Sequence, residues 1–277
     1  MGRWPVKDRW PFEIARARIK RADIHRIAVG EIWDQFLNEA PYRSYATVDA
    51  EGNGELRVEV DPERLPLDAG FEFGEMLYQL RAALDSCIYD AAIHQSGQDP
   101  PTDERSLEFP ICDSLATFVS SNMKIKALGP EYGEFIEAVQ PYNAPDLSDE
   151  LKGHNINLNL AILNDWARKD RHRSLHITRS RTSRRNPQLV LPEGVILESI
   201  TVSPDSFLEH DSLIATFKLR GWHQEMEIEA NPNMLIDIGI DEPPPSRNDD
   251  DTLGQRAAQL MTSVDSVVAH FEAISRK

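Results

Sequence analysis

The chain is predicted to fold as an α+β protein, an amino-terminal helical bundle with a β-hairpin insertion followed by a carboxy-terminal antiparallel sheet and a final helix. Three observations predict it. Apolar residues recur at three and four through most of residues 12 to 173. Short strand-like runs separated by Pro, Gly, Asn and Asp fill the region after Arg185, and residues 252 to 275 return to helical spacing. Helices first and strands later is the order of an α+β domain rather than of alternating α/β units.

The elements follow in chain order. Residues 12 to 39 place Ile14, Ala17, Ile24, Ile27, Ile32, Phe36 and Leu37 at roughly helical intervals with charges between them, which predicts a long amphipathic helix with a break near Gly30. SYATVDA, EGNG and ELRVEVD then read as strand, turn and strand. Alternation at Leu56, Val58 and Val60 around Gly-Asn-Gly is a hairpin signal, placed at about residues 44 to 61. From about Gly70 to His94 the set Leu77, Leu80, Leu84, Cys87, Ile88 and Ala91 predicts a central buried helix ending before Gly97.

Residues 98 to 105, rich in Pro and Asp, read as a loop. A Phe-Pro-Ile run follows, then two shorter helices at about 114 to 126 and 130 to 139, a QPYNAPD linker, and a strong helix at about 148 to 173 that Gly153 would split. QLVLP, VILESITVS, SLIATFKLR, QEMEIEA and MLIDIGI predict an antiparallel sheet of four to six strands. DEPPPSRNDDD is a connector to the final helix, which carries Leu253, Ala257, Leu260, Val264, Val267, Val268 and Phe271. The helical region is expected over 1–185 and the β region with its last helix over 186–277, packed as one compact unit.

Composition excludes several classes. No run of about eighteen apolar residues occurs and the first residues are charged throughout, so neither a membrane span nor a secretory leader is expected and the expected location is the cytoplasm. Cys87 and Cys112 fit neither a metal pair nor a disulfide framework. The dinucleotide and phosphate-cradling glycine motifs and the Gly-x-Ser-x-Gly elbow of hydrolases are missing. No cofactor is expected.

Charge is unevenly spread. The net charge is −16, yet Arg168 to Arg185 holds eight Arg or Lys (168, 169, 171, 173, 179, 181, 184 and 185) against one acid, Asp170. Such a stretch in an acidic chain marks a contact surface for an anion, and RNA is the partner expected there; no membrane contact is. A second basic run lies between Arg3 and Arg26 and reads as a solvated helix face.

Polar residues at helical spacing supply the candidate site. Arg81 and Asp85 are four apart beside the Leu77 to Ile88 stripe. Asn164, Arg168 and His172 are spaced by four, and Asp165 precedes Lys169 by four. If these helices pack, one seam would hold Arg81, Asp85, Asn164 and Asp165, with His172 at its end. Such a seam is either a structural salt-bridge and amide network or a site with a general base and a phosphate-binding Arg. His172 and His176 are half of a metal site by spacing, but no Glu accompanies them and the flanking cations oppose a divalent ion, so no metal is expected.

The motifs Leu80-Arg81-Ala82-Ala83-Leu84-Asp85, Phe109-Pro110-Ile111, Gln140-Pro141-Tyr142 and the segment from Asn164 to Asp170-Arg171-His172-Arg173 resemble those of a widespread family of uncharacterised bacterial proteins across most of the chain. Members of that family typically carry His where this chain has Ser86, and the resemblance implies no assigned activity. A weaker resemblance is to HEPN ribonucleases, in which an Arg followed after four to six residues by His cleaves RNA without metal. Arg81 with Ser86 lacks the base; Arg171 with His176 keeps both groups, and Arg81 with His172 is a further pairing. That resemblance implies a module that binds RNA, or cleaves it, through the 168–185 stretch, with Arg171, His176 and His172 as catalytic residues and a homodimer as the working form. The binding residues would be Arg81, Asp85, Asn164, Asp165, Arg168, Lys169, Asp170 and Arg173. The competing expectation is an interaction or structural module without catalysis, whose polar helix residues only hold the helices together. Geometry separates the two: a site needs Arg and His heads converging in an open cleft, whereas a structural network is mutually paired.

Overall fold

A computed structural model describes residues 11–39, 42–60, 66–146, 154–172, 179–182, 189–203, 211–230, 236–239 and 253–277. Its central element is the helix expected near residues 70 to 94, which runs from Leu67 to Ser96 and is numbered α2. Leu77, Leu80, Leu84, Cys87, Ile88 and Ala91 are all buried, as their spacing predicts. Gly97 ends the helix in a left-handed conformation (φ 66°), with its N–H donating to the Ile93 carbonyl at 2.7 Å.

Three other helices surround α2. The first, α1 (Glu13–Asn38), is continuous through Gly30, because a glycine within an otherwise well-packed helix costs only about 1 kcal/mol. It packs antiparallel on α2, as the pairs Arg18–Gln79 and His25–Glu72 show. Two short helices, α3 (Leu115–Ser120) and α4 (Pro130–Ala138), lie between α2 and α5 (Ile156–His172), and the final helix α6 spans Leu253–Ser275. Helices α5 and α6 contact α2 and each other. The expected start of α5 near 148 lies outside the described residues.

Phe271 of α6 centres the aromatic core. It is fully buried, with ring centroids of Tyr132 at 5.1 Å, Phe135 at 6.0 Å, Phe12 at 6.1 Å and Phe109 at 6.3 Å. Phe12 reaches it from a left-handed backbone (φ 66°) at the start of α1. That conformation costs a non-glycine residue about 1–2 kcal/mol. It is offset by ring burial and by the Phe12 N–H, which donates to the buried Asp90 carboxylate at 2.9 Å. Arg16 ties α1 to α6 through a two-pronged bond to Glu272, at 2.8 and 3.1 Å, and a contact with Asp265. The Arg16 hydrogen bond holds the Glu272 carboxyl below its ordinary value.

The sheet differs from expectation in its composition. Its strands were expected after Arg185, but the amino-terminal hairpin, β1 (Tyr42–Val48) and β2 (Asn53–Val60), supplies half of it. The remaining described strands are β3 (Arg179–Thr182), β4 (Leu189–Val190), β5 (Ile196–Val202), β6 (Ser212–Arg220), β7 (Glu229–Ala230) and β8 (Ile236–Gly239). Strands β1, β2, β6 and β5 form one antiparallel sheet in that order, while β3 pairs with β8 and β4 with β7. A hairpin alone is marginal in water, so its apolar face, Leu56 and Val58, needs further strands and a core to cover it. The turn also shifts by two residues. Gly52 takes the left-handed position (φ 82°), Asn53 and Gly54 already lie in β2, and the Asp49 carboxylate accepts from the Glu51 and Asn53 amides at 3.0 and 2.8 Å.

On the inner face Gly54 sits opposite Val48 and Phe217, and a Cβ there would lie 2.1 Å from the Phe217 ring. The glycine is thus required by the buried ring that covers it. Gly54→Ala is expected to destabilise the protein by about 1–3 kcal/mol in urea unfolding, the usual cost of overpacking. Phe217→Leu in the same chain should remove part of that loss. Strictly additive effects of the two substitutions would refute the contact.

Candidate functional site

Two faces of α2 have different fates. The Leu77 to Ile88 stripe is core, while Phe71, Glu75, Tyr78, Ala82, Ser86 and Tyr89, again spaced by three and four, form the floor of an open cleft of about 780 Å³. Arg18 of α1 lines one side. Leu107 and Glu108, with Ala167 and Asp170 of α5, line the other. Phe71 and Tyr78 are 62% and 57% exposed, unusual for such large side chains on a helix so well packed elsewhere.

Asp170 defines how closely α5 approaches. Its carboxylate lies against the Gly74 backbone, where an added Cβ would fall 2.7 Å from Oδ2. A glycine in mid-helix therefore serves close approach of two elements.

Arg81 and Asp85 form one edge of the cleft and perform a definite task. The Arg81 side chain is only 10% exposed. Its Nη2 donates to the Phe109 carbonyl at 3.3 Å and lies 3.5 Å from Glu108 and 3.7 Å from Asp85. Asp85 accepts from the Phe109 N–H at 2.9 Å. One i, i+4 pair thus satisfies both backbone polar groups of a fully buried residue in a segment without regular structure. Lys124 closes the group at 2.5 Å from Glu108.

Gln140, from the Gln-Pro-Tyr turn, extends the pattern. Its amide nitrogen donates to the Pro110 and Ile136 carbonyls at 3.0 and 2.8 Å, and its oxygen accepts from the Cys112 N–H at 2.9 Å. Asn157 in turn donates to the Ala138 and Gln140 carbonyls, both at 2.8 Å. Three of the sequence motifs therefore meet on the chain from Leu107 to Cys112, clamping it to the bundle.

Of the expected seam, Arg81 and Asp85 line the cleft and Asn164 and Asp165 do not; Asp170 lines it as well, whereas Arg168 and Lys169 do not. Asp165 is held within its own helix, 2.8 Å from Lys169 and 3.5 Å from Arg168, the latter 69% exposed. Asn164 is half-buried away from the cleft. The backbone of Arg171 and His172 belongs to the last turn of α5, with side chains outside the described residues; Arg173 and His176 lie outside them altogether. Among the described residues no histidine lines the cleft, and no group of three or more His, Cys, Asp and Glu could hold a metal ion. No described helix is long and apolar enough to cross a membrane.

Sequence reasoning passed over Phe71, Glu75, Tyr78, Tyr89 and Glu108. The signal was the second helical stripe of α2, which mixes aromatics, an acid and small residues where a solvated face would carry mostly charge. Among the described residues, Glu75, Asp85, Glu108 and Asp170 line the cleft against Arg18 and Arg81. At its far end burial, then Asp99 and Glu104, push the Tyr89 phenol above its ordinary value. No protein-family model, curated protein or solved structure matches the chain, so the reading of this cleft rests on its own geometry.

Burial pushes the Asp85 carboxyl above its ordinary value, against the opposing pull of Arg81 and of the Phe109 N–H. A raised folded-state value means that the folded chain holds its proton to higher pH than the unfolded chain does. The carboxylate therefore costs stability progressively as pH rises from the unfolded value through the folded one. Asp85→Asn keeps an acceptor for Phe109 and removes this titration. The melting temperature of the variant relative to the wild type is expected to rise between pH 4 and pH 7, and a fall across that range would contradict the assignment.

Proposed function

We propose that this protein is a noncatalytic protein-interaction module, with the α2 cleft as its docking surface. The observation that carries the reading is the clamp on Phe109: Arg81 and Asp85, the pair best placed to act as phosphate binder and base, are engaged with backbone groups of the protein itself. Ser86, five residues beyond Arg81, donates its hydroxyl to the Ala82 carbonyl at 2.7 Å, and a serine hydroxyl is no base near neutral pH. An exposed aromatic pair in a concave surface, with a polar rim, is what a protein partner buries.

Ribonuclease activity is the competing reading, because Arg168 to Arg185 concentrates cations and contains Arg171 and His176. RNA is therefore the substrate to offer. An end-labelled RNA of mixed sequence incubated with excess protein is expected to remain full length, whereas products that disappear in a His176→Ala variant would overturn the noncatalytic reading. In the same series Arg81→Ala is expected to lower stability by about 1–3 kcal/mol in urea unfolding, since it leaves the buried Phe109 carbonyl and the Asp85 carboxylate short of a partner. A variant as stable as the wild type would remove the clamp as the reason for Arg81.

A further inference from the structure

The floor of the cleft is a ladder of rings and carboxylates. Phe71, Tyr78 and Tyr89 follow one another along α2, with Glu75 between the first two and Asp170, Asp85 and Glu108 along one side. Tyr89 lies 3.5 Å from Asp99, and Glu104 acts on the same phenol, so acidic groups continue past the end of the cleft into the loop that follows α2. Aromatic faces beside carboxylates attract Arg and Lys, whose stems pack on the rings while their heads meet the acids. A phosphate backbone would be repelled by the same groups.

A second observation concerns length. The length agrees with a segment rather than a single side chain. From Phe71 to Tyr89 the helix rises about 27 Å at 1.5 Å per residue, which an extended chain covers in about eight residues at 3.3 Å each.

We propose that the α2 cleft docks an extended, Arg- or Lys-bearing segment of a partner protein, an inference that rests on the docking reading above and names the partner's chemistry. The cationic side chains lie over Phe71, Tyr78 and Tyr89 toward Glu75 and Glu104.

The test uses the full chain and three fluorescein-labelled probes at about 150 mM salt, where surface attraction is screened beyond about 8 Å. These are an octapeptide alternating Arg and Ala, its counterpart alternating Glu and Ala, and a single-stranded RNA of about 20 nucleotides. Anisotropy is read for the wild type, for the double variant Glu75→Gln, Tyr78→Ser, and for Glu31→Gln, Asp34→Asn, which removes two exposed charges from α1 away from the cleft. The proposal expects the basic peptide alone to bind, about tenfold more weakly in the cleft variant and within twofold of wild type in the α1 variant. Equal weakening in both variants would show diffuse attraction to an acidic protein and overturn the proposal, as would no binding of the basic peptide at millimolar protein. If the acidic peptide binds and the cleft variant loses it, the partner class is wrong while docking at the cleft stands. RNA that binds regardless of Glu75 and Tyr78 and is shortened on incubation would defeat the docking reading itself.

Discussion

A buried segment without secondary structure needs an outside partner for every backbone N–H and C=O, and here that requirement falls on Leu107 to Cys112. Phe109 is buried completely because its ring reaches Phe271 at the centre of the core. Its amide and carbonyl cannot be left without partners, since each unpaired group would cost about 1–3 kcal/mol. Asp85 takes the amide and Arg81 the carbonyl, while Gln140 serves Pro110 and Cys112 on either side. Through Asn157 the same constraint reaches the start of α5. The four polar residues thus connect α2, the segment after it, the turn after α4, and α5, across the region where the chain is least regular.

The legibility of the sequence divides along the same line. Helices with a strong three-and-four pattern were recoverable because burial on one face is all that is needed to place them, and α2 and α6 are the clearest instances. The pairing of β1 with β2 was recoverable, but the pairing of that hairpin with β6 was not. Nothing local to EGNG or SLIATFKLR says that Gly54 will face Phe217, because the match of a glycine to a ring on another strand is a property of the assembled sheet. The same holds for Gly74, whose reason is the Asp170 carboxylate 96 residues away.

Residues of the candidate site were legible as a set of polar groups on helices, but not in their pairings. Spacing by four put Arg81 and Asp85 on one face, yet the face looks toward a backbone segment rather than toward α5. Asp165 and Lys169 have the same spacing and simply meet each other on their own helix. Periodicity fixes which side chains share a face, and the partner opposite that face is decided by packing. That is why the aromatic and acidic stripe of α2 went unread: it is defined by what fails to cover it.

What fails to cover it follows from lengths. At 1.5 Å per residue, α2 is about 45 Å long and α5 about 25 Å, so α5 cannot wall the whole of α2. Near the carboxy-terminal end of α5, Gly74 admits Asp170, and Leu107 and Glu108 line the cleft as well. The clamped segment is therefore both a core element, through Phe109, and a side of the cleft, through Glu108. Arg81 touches each of them. Its closed pairing and its place at the rim are consequences of one arrangement, in which a charged side chain holds the wall of the cleft in position and leaves Phe71, Tyr78 and Glu75 on the floor facing solvent.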